Sequence, residues 1–281
     1  MVMRERRVHD DRDIAIVGYA GRLPGAVDVE RLWALLRDNR SAIGTVTPDR
    51  FPAGPFYHPA PDQSGRSYTF AAGLIEDVWA FDAQAFGMSP REAEQVDPQQ
   101  RHLLEVTHDA LAHAGVRPSS LAGSETGVYV GASSVDHGAR FLADPSAADV
   151  HMMTGNTLSI LSNRLSYTLD LHGPSFTVDT ACSSSMVALC LAADAIRNGT
   201  VETAIVGSVN LLLSPLSFVG FSRASMLSPT GRCRPDSRAG CQHGSAHRER
   251  PRANDDAADQ PARPRAGSCR KPRRRSPTRH R

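Results

Sequence analysis

Apolar residues recur along this chain with two different spacings, which predict strands and helices in alternation. Short apolar runs at 14–17, 127–130, 176–178 and 204–209 are typical of strands. Other apolar residues recur three and four positions apart, as on one face of a helix. One such face, formed by Val29, Leu32, Trp33 and Leu36, follows the predicted N-cap Asp28. This alternation indicates an α/β layered fold with a mixed or largely parallel sheet.

Capping residues locate the starts of further helices. Ser89-Pro90-Arg91-Glu92 is a capping box with proline at the first helical position, and Asp97-Pro98 repeats it in a weaker form. Leu103, Leu104, Val106 and Leu111 then line a helix that we expect to end near Gly115. Leu158, Leu161 and Leu165 predict another helix, between the second and third strands.

A cysteine stands between a predicted strand and a predicted helix. The segment is Val178-Asp179-Thr180-Ala181-Cys182-Ser183-Ser184-Ser185, and the apolar run 186–196 continues it to the stop signal Asn198-Gly199. We therefore expect Cys182 in the first turn of a helix, where free backbone N–H groups and the helix dipole stabilise a thiolate. The same N–H groups can hold an oxyanion, so this placement favours acyl transfer to sulfur.

The alternative for Cys182 is a small buried side chain with no chemical role. Ser183, Ser184 and Ser185 are weaker nucleophile candidates because no Gly-x-Ser-x-Gly elbow surrounds them.

The cysteine segment resembles the active-site segment of β-ketoacyl synthases, in particular the ketosynthase domains of type I polyketide synthases. Further similar motifs occur in the same order along the chain: Asp13-Ile14-Ala15-Ile16-Val17-Gly18, Arg22-Leu23-Pro24-Gly25, Asp97-Pro98-Gln99-Gln100-Arg101, Gly155-Asn156, Asn163-Arg164-Leu165-Ser166-Tyr167, Gly173-Pro174-Ser175 and Met226-Leu227-Ser228-Pro229. The resemblance covers residues 12–232. It implies the N-terminal half of a thiolase-like fold, layered αβαβα in the complete family, and a homodimer.

The resemblance also implies a reaction. In the family, the active-site cysteine takes an acyl group from the phosphopantetheine of an acyl carrier protein, and two histidines support decarboxylative Claisen condensation with a malonyl unit. Cys182 matches the cysteine and is the one catalytic residue that we assign, with no metal and no resident cofactor. The later histidine motifs are not matched, since His243-Gly244-Ser245 departs from their pattern.

The prediction is therefore an acyltransferase of the 3-oxoacyl-[acyl-carrier-protein] synthase type that accepts an acyl group without completing condensation. The alternative is a non-catalytic ketosynthase fragment or an interaction remnant. Six of the histidines that precede the cysteine are interpreted as surface or packing residues: His102, His108, His113, His137, His151 and His172.

Some residues of the motifs are expected to support the fold. Residues 97–101 are interpreted as a cap and salt-bridge element, and Asn163 and Arg164 as packing residues. Cys190, inside the apolar helix, is interpreted as structural. Cys233, Cys241 and Cys269 are interpreted as incidental.

The composition changes near residue 228. Residues 228–281 contain no Ile, Leu, Val, Met, Phe, Trp or Tyr, so the basic Arg-, Pro- and Ala-rich tail, 233–281, is expected to be disordered. With 14 Arg and one Lys against four Asp and one Glu, residues 228–281 carry +10, which leaves −8 for residues 1–227 of a chain with net charge +2.

Three interpretations of the tail remain open. A reading-frame change near Arg234-Pro235 would replace ketosynthase sequence by arbitrary polar sequence. Binding to nucleic acid would use Arg273-Arg274-Arg275, although the tail has no aromatic residue that could stack on a base. A zinc site would use Cys233, Cys241, His243 and His247, whose spacing lacks the usual tight Cys-x₂₋₄-Cys pair.

Cysteine usage and hydropathy set the expected compartment. Five Cys without disulfide spacing, a charged start at 1–12 and an apolar patch at 209–221 that is too polar to span a bilayer predict a reducing, cytoplasmic setting without membrane contact.

Overall fold

A computed structural model describes residues 13–61 and 63–232 of the chain. The helices and strands of these residues are, in chain order, α1 Val29–Arg37, β1 Ile43–Thr45, β2 Ala71–Gly73, α2 Pro90–Gln95, α3 Pro98–His113, β3 Gly127–Gly131, α4 Ala139–Ala143, α5 Met152–Gly155, α6 Leu158–Leu169, β4 Ser175–Val178, α7 Ser184–Arg197, β5 Ala204–Ser208 and α8 Leu216–Arg223. The tail 233–281, for which disorder was predicted, lies outside the described residues, and so do the zinc candidates in it.

A three-stranded parallel sheet forms the centre of the fold. Its order is β4-β3-β5, with Val128 opposite both Ser175 and Ile205. All five residues of β3 are buried, as expected for a central parallel strand. The strands predicted at 127–130, 176–178 and 204–209 are confirmed to within a residue.

Helices cover both faces of this sheet. Val128 and Val130 of β3 pack with Leu161 and Leu165 of α6, together with leucines of α3. On the opposite face, Tyr129 packs with alanines of α7. Full burial of a Leu or Val side chain stabilises a fold by about 1.5–3 kcal/mol, so these contacts fix an α-β-α sandwich. They confirm the predicted layered α/β architecture.

A smaller unit of structure borders the sandwich. Strands β1 and β2 pair antiparallel, with Ile43 opposite Gly73. The aromatic rings of Phe51, Phe70 and Phe218 form the core beside them. This cluster ties α8, late in the chain, to the segment near the first strands.

The predicted helix caps are all present. The Asp28 side chain accepts a hydrogen bond from Arg31 N at 2.7 Å, and the Ser89 side chain accepts one from Glu92 N at 3.1 Å. Asp97 accepts one from Gln99 N at 2.8 Å. Each bond satisfies an N–H group at the start of a helix that has no partner within the helix.

The strand predicted at 14–17 is wrong. These residues are irregular, and the side chains of Ile16 and Val17 are 76% and 68% exposed. The chain instead passes directly over α3, where a Cβ on Gly18 would lie 2.4 Å from the backbone O of Ala110. An apolar run becomes a strand only where a neighbouring strand supplies hydrogen bonds, and the described residues supply none here.

The apolar face predicted for α1 is also wrong in part. Leu35 is its buried residue, whereas Trp33 and Leu36 of the predicted face are exposed. The helix therefore contacts the rest of the fold with a side shifted around its axis from the one that the spacing indicated.

Candidate active site

The turn between β4 and α7 carries Cys182. It lies at the carboxyl edge of the sheet, because the three strands are parallel, and it shares this edge with the loops that follow β3 and β5. Residues 181–183 form one 3-10 turn, and the N-cap of α7 is Ser183. Cys182 thus lies one residue before that N-cap, in the turn that leads into the helix rather than within the helix as predicted.

The Cys182 side chain is exposed. The burial that the alternative interpretation assumed is therefore wrong, whereas the chemical role of Cys182 stays a prediction. Reagents in solvent have access to its sulfur, which is the first requirement for a nucleophile.

Backbone strain immediately precedes the cysteine. Ala181 has φ +55°, in the left-handed region that costs a residue with a Cβ about 1–2 kcal/mol. Two hydrogen bonds hold this conformation: the Asp179 carboxylate accepts from Ala181 N at 2.9 Å, and Ser184 Oγ donates to Ala181 O at 2.7 Å. In some enzyme folds, a strained turn between a strand and a helix exposes the nucleophile.

The neighbouring serines are engaged by the turn itself. Ser183 Oγ donates to Thr180 O at 2.9 Å, and Ser184 Oγ also accepts from Thr180 N at 2.9 Å. The hydroxyl groups of Ser183 and Ser184 therefore stabilise the turn, whereas Ser185 is exposed.

A carboxylate stands beside the cysteine in its ionised form. Hydrogen bonds from Ala181 N and, secondly, from the Ser133 hydroxyl lower the pKa of Asp179. The ionised carboxylate of Asp179 therefore acts as a hydrogen-bond acceptor within the turn. Ser133, which sequence reasoning missed, also lies 3.4 Å from Ser184 through the two Oγ atoms.

A glycine brings β3 directly against this turn. A Cβ on Gly131 would lie 2.6 Å from the carbonyl carbon of Ser184 and 2.7 Å from Ser185 N. Only a residue without a side chain permits this approach of the α7 backbone. The last residue of the central strand therefore packs directly against the backbone that follows Cys182.

Two of the histidines are buried and uncharged. His137 accepts from Arg140 Nη1 at Nε2, 3.1 Å, which leaves Nδ1 to donate to Asn156 Oδ1 at 3.0 Å. Burial lowers its pKa to about 4. His102 is enclosed in a similar way, between Arg22 and the backbone O of Val78, and burial lowers its pKa too.

The other four of the six histidines interpreted above lie in more open positions. His108, His113 and His172 are exposed and His151 is half-buried. Among the described residues, no histidine is hydrogen-bonded to Cys182. The six side chains therefore have the surface and packing roles that the sequence predicted.

The motif at 97–101 is a cap but not a salt bridge. Asp97 is fully buried, and burial raises its pKa to about 6. No ion pair joins it to Arg101 within the described part of the chain. Arg101 Nη1 donates instead to the backbone O of Trp79 at 3.4 Å, while Asp97 Oδ2 and Arg101 Nε have no hydrogen-bond partner. The salt-bridge half of that prediction is wrong.

Arg164 has the supporting role that was expected. Its guanidinium pairs with Glu92 at 2.9 Å and donates to the side chain of Gln100, which joins α6 to α2 and α3. Asn163 is exposed, so its predicted packing role is wrong.

The outer side of α7 is apolar and uncovered by any described residue. Met186, Leu189, Cys190 and Leu191 are all exposed there. The structural role predicted for Cys190 is therefore not found in this chain. This surface gives the site an apolar border that begins one turn after Cys182.

No helix within the described ranges combines the length and apolar character that crossing a bilayer requires.

The sequence and the fold of this chain are similar to those of known proteins. The family model described as the β-ketoacyl synthase N-terminal domain matches residues 11–246. The polyketide synthase GfsB of Streptomyces halstedii is 46% identical over 226 residues, which are 80% of this chain and 4% of that protein. One phenolphthiocerol/phthiocerol polyketide synthase of Mycobacterium tuberculosis is 46% identical over 236 residues, or 83% of this chain and 12% of that protein.

Solved structures give the same result. The oxazolomycin ketosynthase domain of Streptomyces albus superimposes with a TM-score of 0.72 at 37% identity, over 78% of this chain and 37% of that chain. The ketosynthase of module 6 of the bacillaene synthase of Bacillus subtilis superimposes with a TM-score of 0.65 at 34% identity, over 77% and 35%. The chain thus spans about a third of each solved ketosynthase. These likenesses confirm the expected N-terminal half of a thiolase-like fold; the boundary placed at 232 stays a prediction.

Proposed function

Because this chain belongs to the β-ketoacyl synthase family, of which it carries the N-terminal domain, we propose that Cys182 accepts an acyl group from a thioester. The observation that carries the proposal is the exposed sulfur on a strained turn at the carboxyl edge of the parallel sheet. Ligands of open α/β sheets bind at this edge, which is where a reacting thioester has to arrive.

The transfer involves one bond formed and one bond broken. The Cys182 thiol gives its proton to solvent, and its sulfur attacks the thioester carbonyl carbon to form a new C–S bond. The oxyanion then collapses, and the carrier leaves as a thiolate that takes up a proton. Acyl-cysteine and free carrier thiol are the products. Backbone N–H groups at the start of α7 are suited to stabilise the oxyanion.

The carrier in this proposal is the phosphopantetheine arm of an acyl carrier protein. The support is the similarity to polyketide synthases, together with the expectation from the resemblance that the acyl group arrives in this form. The exposed sulfur is compatible with a long, flexible donor that approaches from solvent. As in the family, we propose that the protein works as a homodimer.

Acylation, rather than complete condensation, is the reaction that we assign to the described residues. Condensation requires groups that decarboxylate the extender and stabilise its enolate. The buried histidines His102 and His137 have both ring nitrogens engaged by other residues. Neither is free to assist at Cys182.

Mass spectrometry with an acyl thioester of N-acetylcysteamine tests this proposal. We expect the acyl mass on Cys182, located by peptide fragmentation, and its loss in a Cys182→Ala variant. Cys190, exposed eight residues further along, provides the matched control: a Cys190→Ala variant keeps the modification. An unmodified Cys182 in a folded sample, or equal labelling of both cysteines, contradicts the proposal.

A non-catalytic role is the second candidate function. The uncovered apolar side of α7 favours it, since exposed apolar surface commonly marks an interaction site. A folded chain that binds an acyl carrier protein, while Cys182 stays unmodified, would support this role over acyl transfer.

A further inference from the structure

Two neighbouring glutamines at the start of α3 are buried and fully engaged. The side chains of Gln99 and Gln100 are each 1% exposed. A buried amide offers both donors and an acceptor, and leaving either unsatisfied destabilises a fold. The partners of the two residues nevertheless lie in different parts of the molecule.

Gln99 joins two loops at the carboxyl edge of the sheet. Its Nε2 donates to the backbone O of Ser134 at 2.6 Å, in the loop that follows β3. Its Oε1 accepts from Leu211 N at 3.1 Å, in the segment that follows β5. One side chain therefore sets the spacing of the loops after the central strand and one outer strand.

The first of these loops touches the nucleophile turn. Ser133, which precedes the residue held by Gln99, places its Oγ 3.4 Å from Ser184 Oγ and 3.5 Å from the backbone O of Ala181. Its hydroxyl also lowers the pKa of Asp179. A continuous set of contacts thus runs from the Gln99 amide to the residues on both sides of Cys182.

We propose that Gln99 is a positioning residue for acyl transfer to Cys182, because its amide holds the 133–134 segment against the turn that presents the sulfur. This role rests on the function proposed above. It assigns to the Asp97-Pro98-Gln99-Gln100-Arg101 motif a task beyond support of the fold.

Gln100 provides a matched control within the same helix. Its Nε2 donates to the backbone O atoms of Thr154 and Gly155 at 3.0 and 2.8 Å, and its Oε1 accepts from Arg164. These partners lie on α5 and α6, away from the loops that Gln99 joins. The two residues have equal burial and the same chemistry, but only Gln99 leads to the Cys182 turn.

The main test compares Gln99→Met with Gln100→Met, each of which removes an amide while keeping the side chain's length. We expect the acylation rate of Cys182 to fall about tenfold in Gln99→Met, since small misplacements of reacting groups have effects of this size or larger. Gln100→Met should change it less than about twofold. Alkylation of Cys190 by iodoacetamide, which needs only an exposed thiol, should be equal in all three proteins.

Hydrogen exchange gives a readout that does not depend on activity. The amides of Thr180 and Ala181 are held by side chains of the turn, at 2.9 Å in both cases. We expect Gln99→Met to speed their exchange, and Gln100→Met to speed exchange near Gly155 instead. Equal effects of the two variants at the turn, or none, would overturn the role of Gln99.

Gln99→Glu supplies a pH-dependent rescue. An ionised glutamate cannot donate to Ser134 O, whereas the protonated acid both donates and accepts, as the native amide does. Burial raises a carboxyl pKa, so acylation relative to the unchanged chain should recover as the pH falls from about 9 to about 6. The unchanged chain is measured in parallel because burial raises the carboxyl pKa values of Asp97 and Asp136 on these elements, whereas it lowers the pKa values of His102 and His137. A ratio that does not vary with pH argues against the proposal.

A double-mutant cycle with Ser133→Ala tests the path itself. Ser133 is exposed, so its truncation leaves the fold intact. Removing its hydroxyl should slow acylation in the unchanged chain but have little further effect in Gln99→Met, because the two residues act through one contact. Additive effects would refute the path. If the unchanged chain is not acylated at all, the proposed function fails, whereas normal acylation of Gln99→Met refutes only this inference.

Discussion

Gly131→Ala is expected to push the start of helix α7 away from the end of strand β3. The new Cβ would lie 2.6–2.7 Å from three backbone atoms of Ser184 and Ser185. Ordinary contacts between such atoms are about 3.5 Å or longer, so the start of α7 has to move by roughly 0.9 Å. Backbone atoms cannot rotate away as a flexible side chain can. We therefore expect a loss near the upper end of the usual overpacking range, about 3 kcal/mol.

Urea denaturation measures this loss, and acylation measures its consequence for the site. A displacement of nearly 1 Å at the Cys182 turn should slow acyl transfer by about 100-fold in the molecules that remain folded. Gly220→Ala is the control, because this glycine lies inside α8 and its Cβ would meet no atom within 4 Å other than the backbone of its own helix and its chain neighbours. Alanine should therefore stabilise the helix by about 0.5–1 kcal/mol. Equal stability of Gly131→Ala and the unchanged chain would refute the close approach.

Three further substitutions have defined outcomes. Leu161→Ala empties a fully buried position between α6 and the sheet, and should lower the free energy of unfolding in urea by about 2–5 kcal/mol. Ala181→Gly relieves the positive φ and should raise it by up to about 1 kcal/mol; a loss would contradict the strain. Asp97→Asn should raise it by about 3 kcal/mol near pH 8, because burial raises the folded pKa of this carboxyl to about 6, above its unfolded value of about 3.9. The gain should shrink as the pH falls from about 6 to about 4 and be lost below that.

Local signals in the sequence were sufficient for most elements. The caps Asp28, Ser89 and Asp97 each satisfy N–H groups within their own helix, so no distant residue is needed for them to act. The apolar run at 127–130 was also sufficient by itself to predict a strand, because a strand that is buried on both faces is apolar throughout. Placement of Cys182 between β4 and α7 followed from these boundaries.

Predictions failed where a pattern depended on a distant partner. The run at 14–17 has the composition of a strand but finds no strand beside it among the described residues. Cys190 was assigned a structural role because its helix is largely apolar. An apolar composition does not reveal which side of the helix packs against the sheet. In the structure, Ala188 and Ala192 pack against the sheet, whereas Cys190 is exposed.

The same argument explains why the supporting residues of the site were missed. Asp97 and Arg101 are four positions apart on one helix, a spacing that favours an ion pair, yet each side chain is directed to a different neighbour. Gln99 meets its acceptor 35 residues away and its donor 112 residues away, and both partners are backbone atoms that any residue type would supply. Sequence identifies a candidate nucleophile, here Cys182, by its own side chain. The groups proposed to hold its turn in place can be recognised only from the loops that they join. Those loops come together only after the parallel sheet has brought the ends of β3, β4 and β5 to one edge.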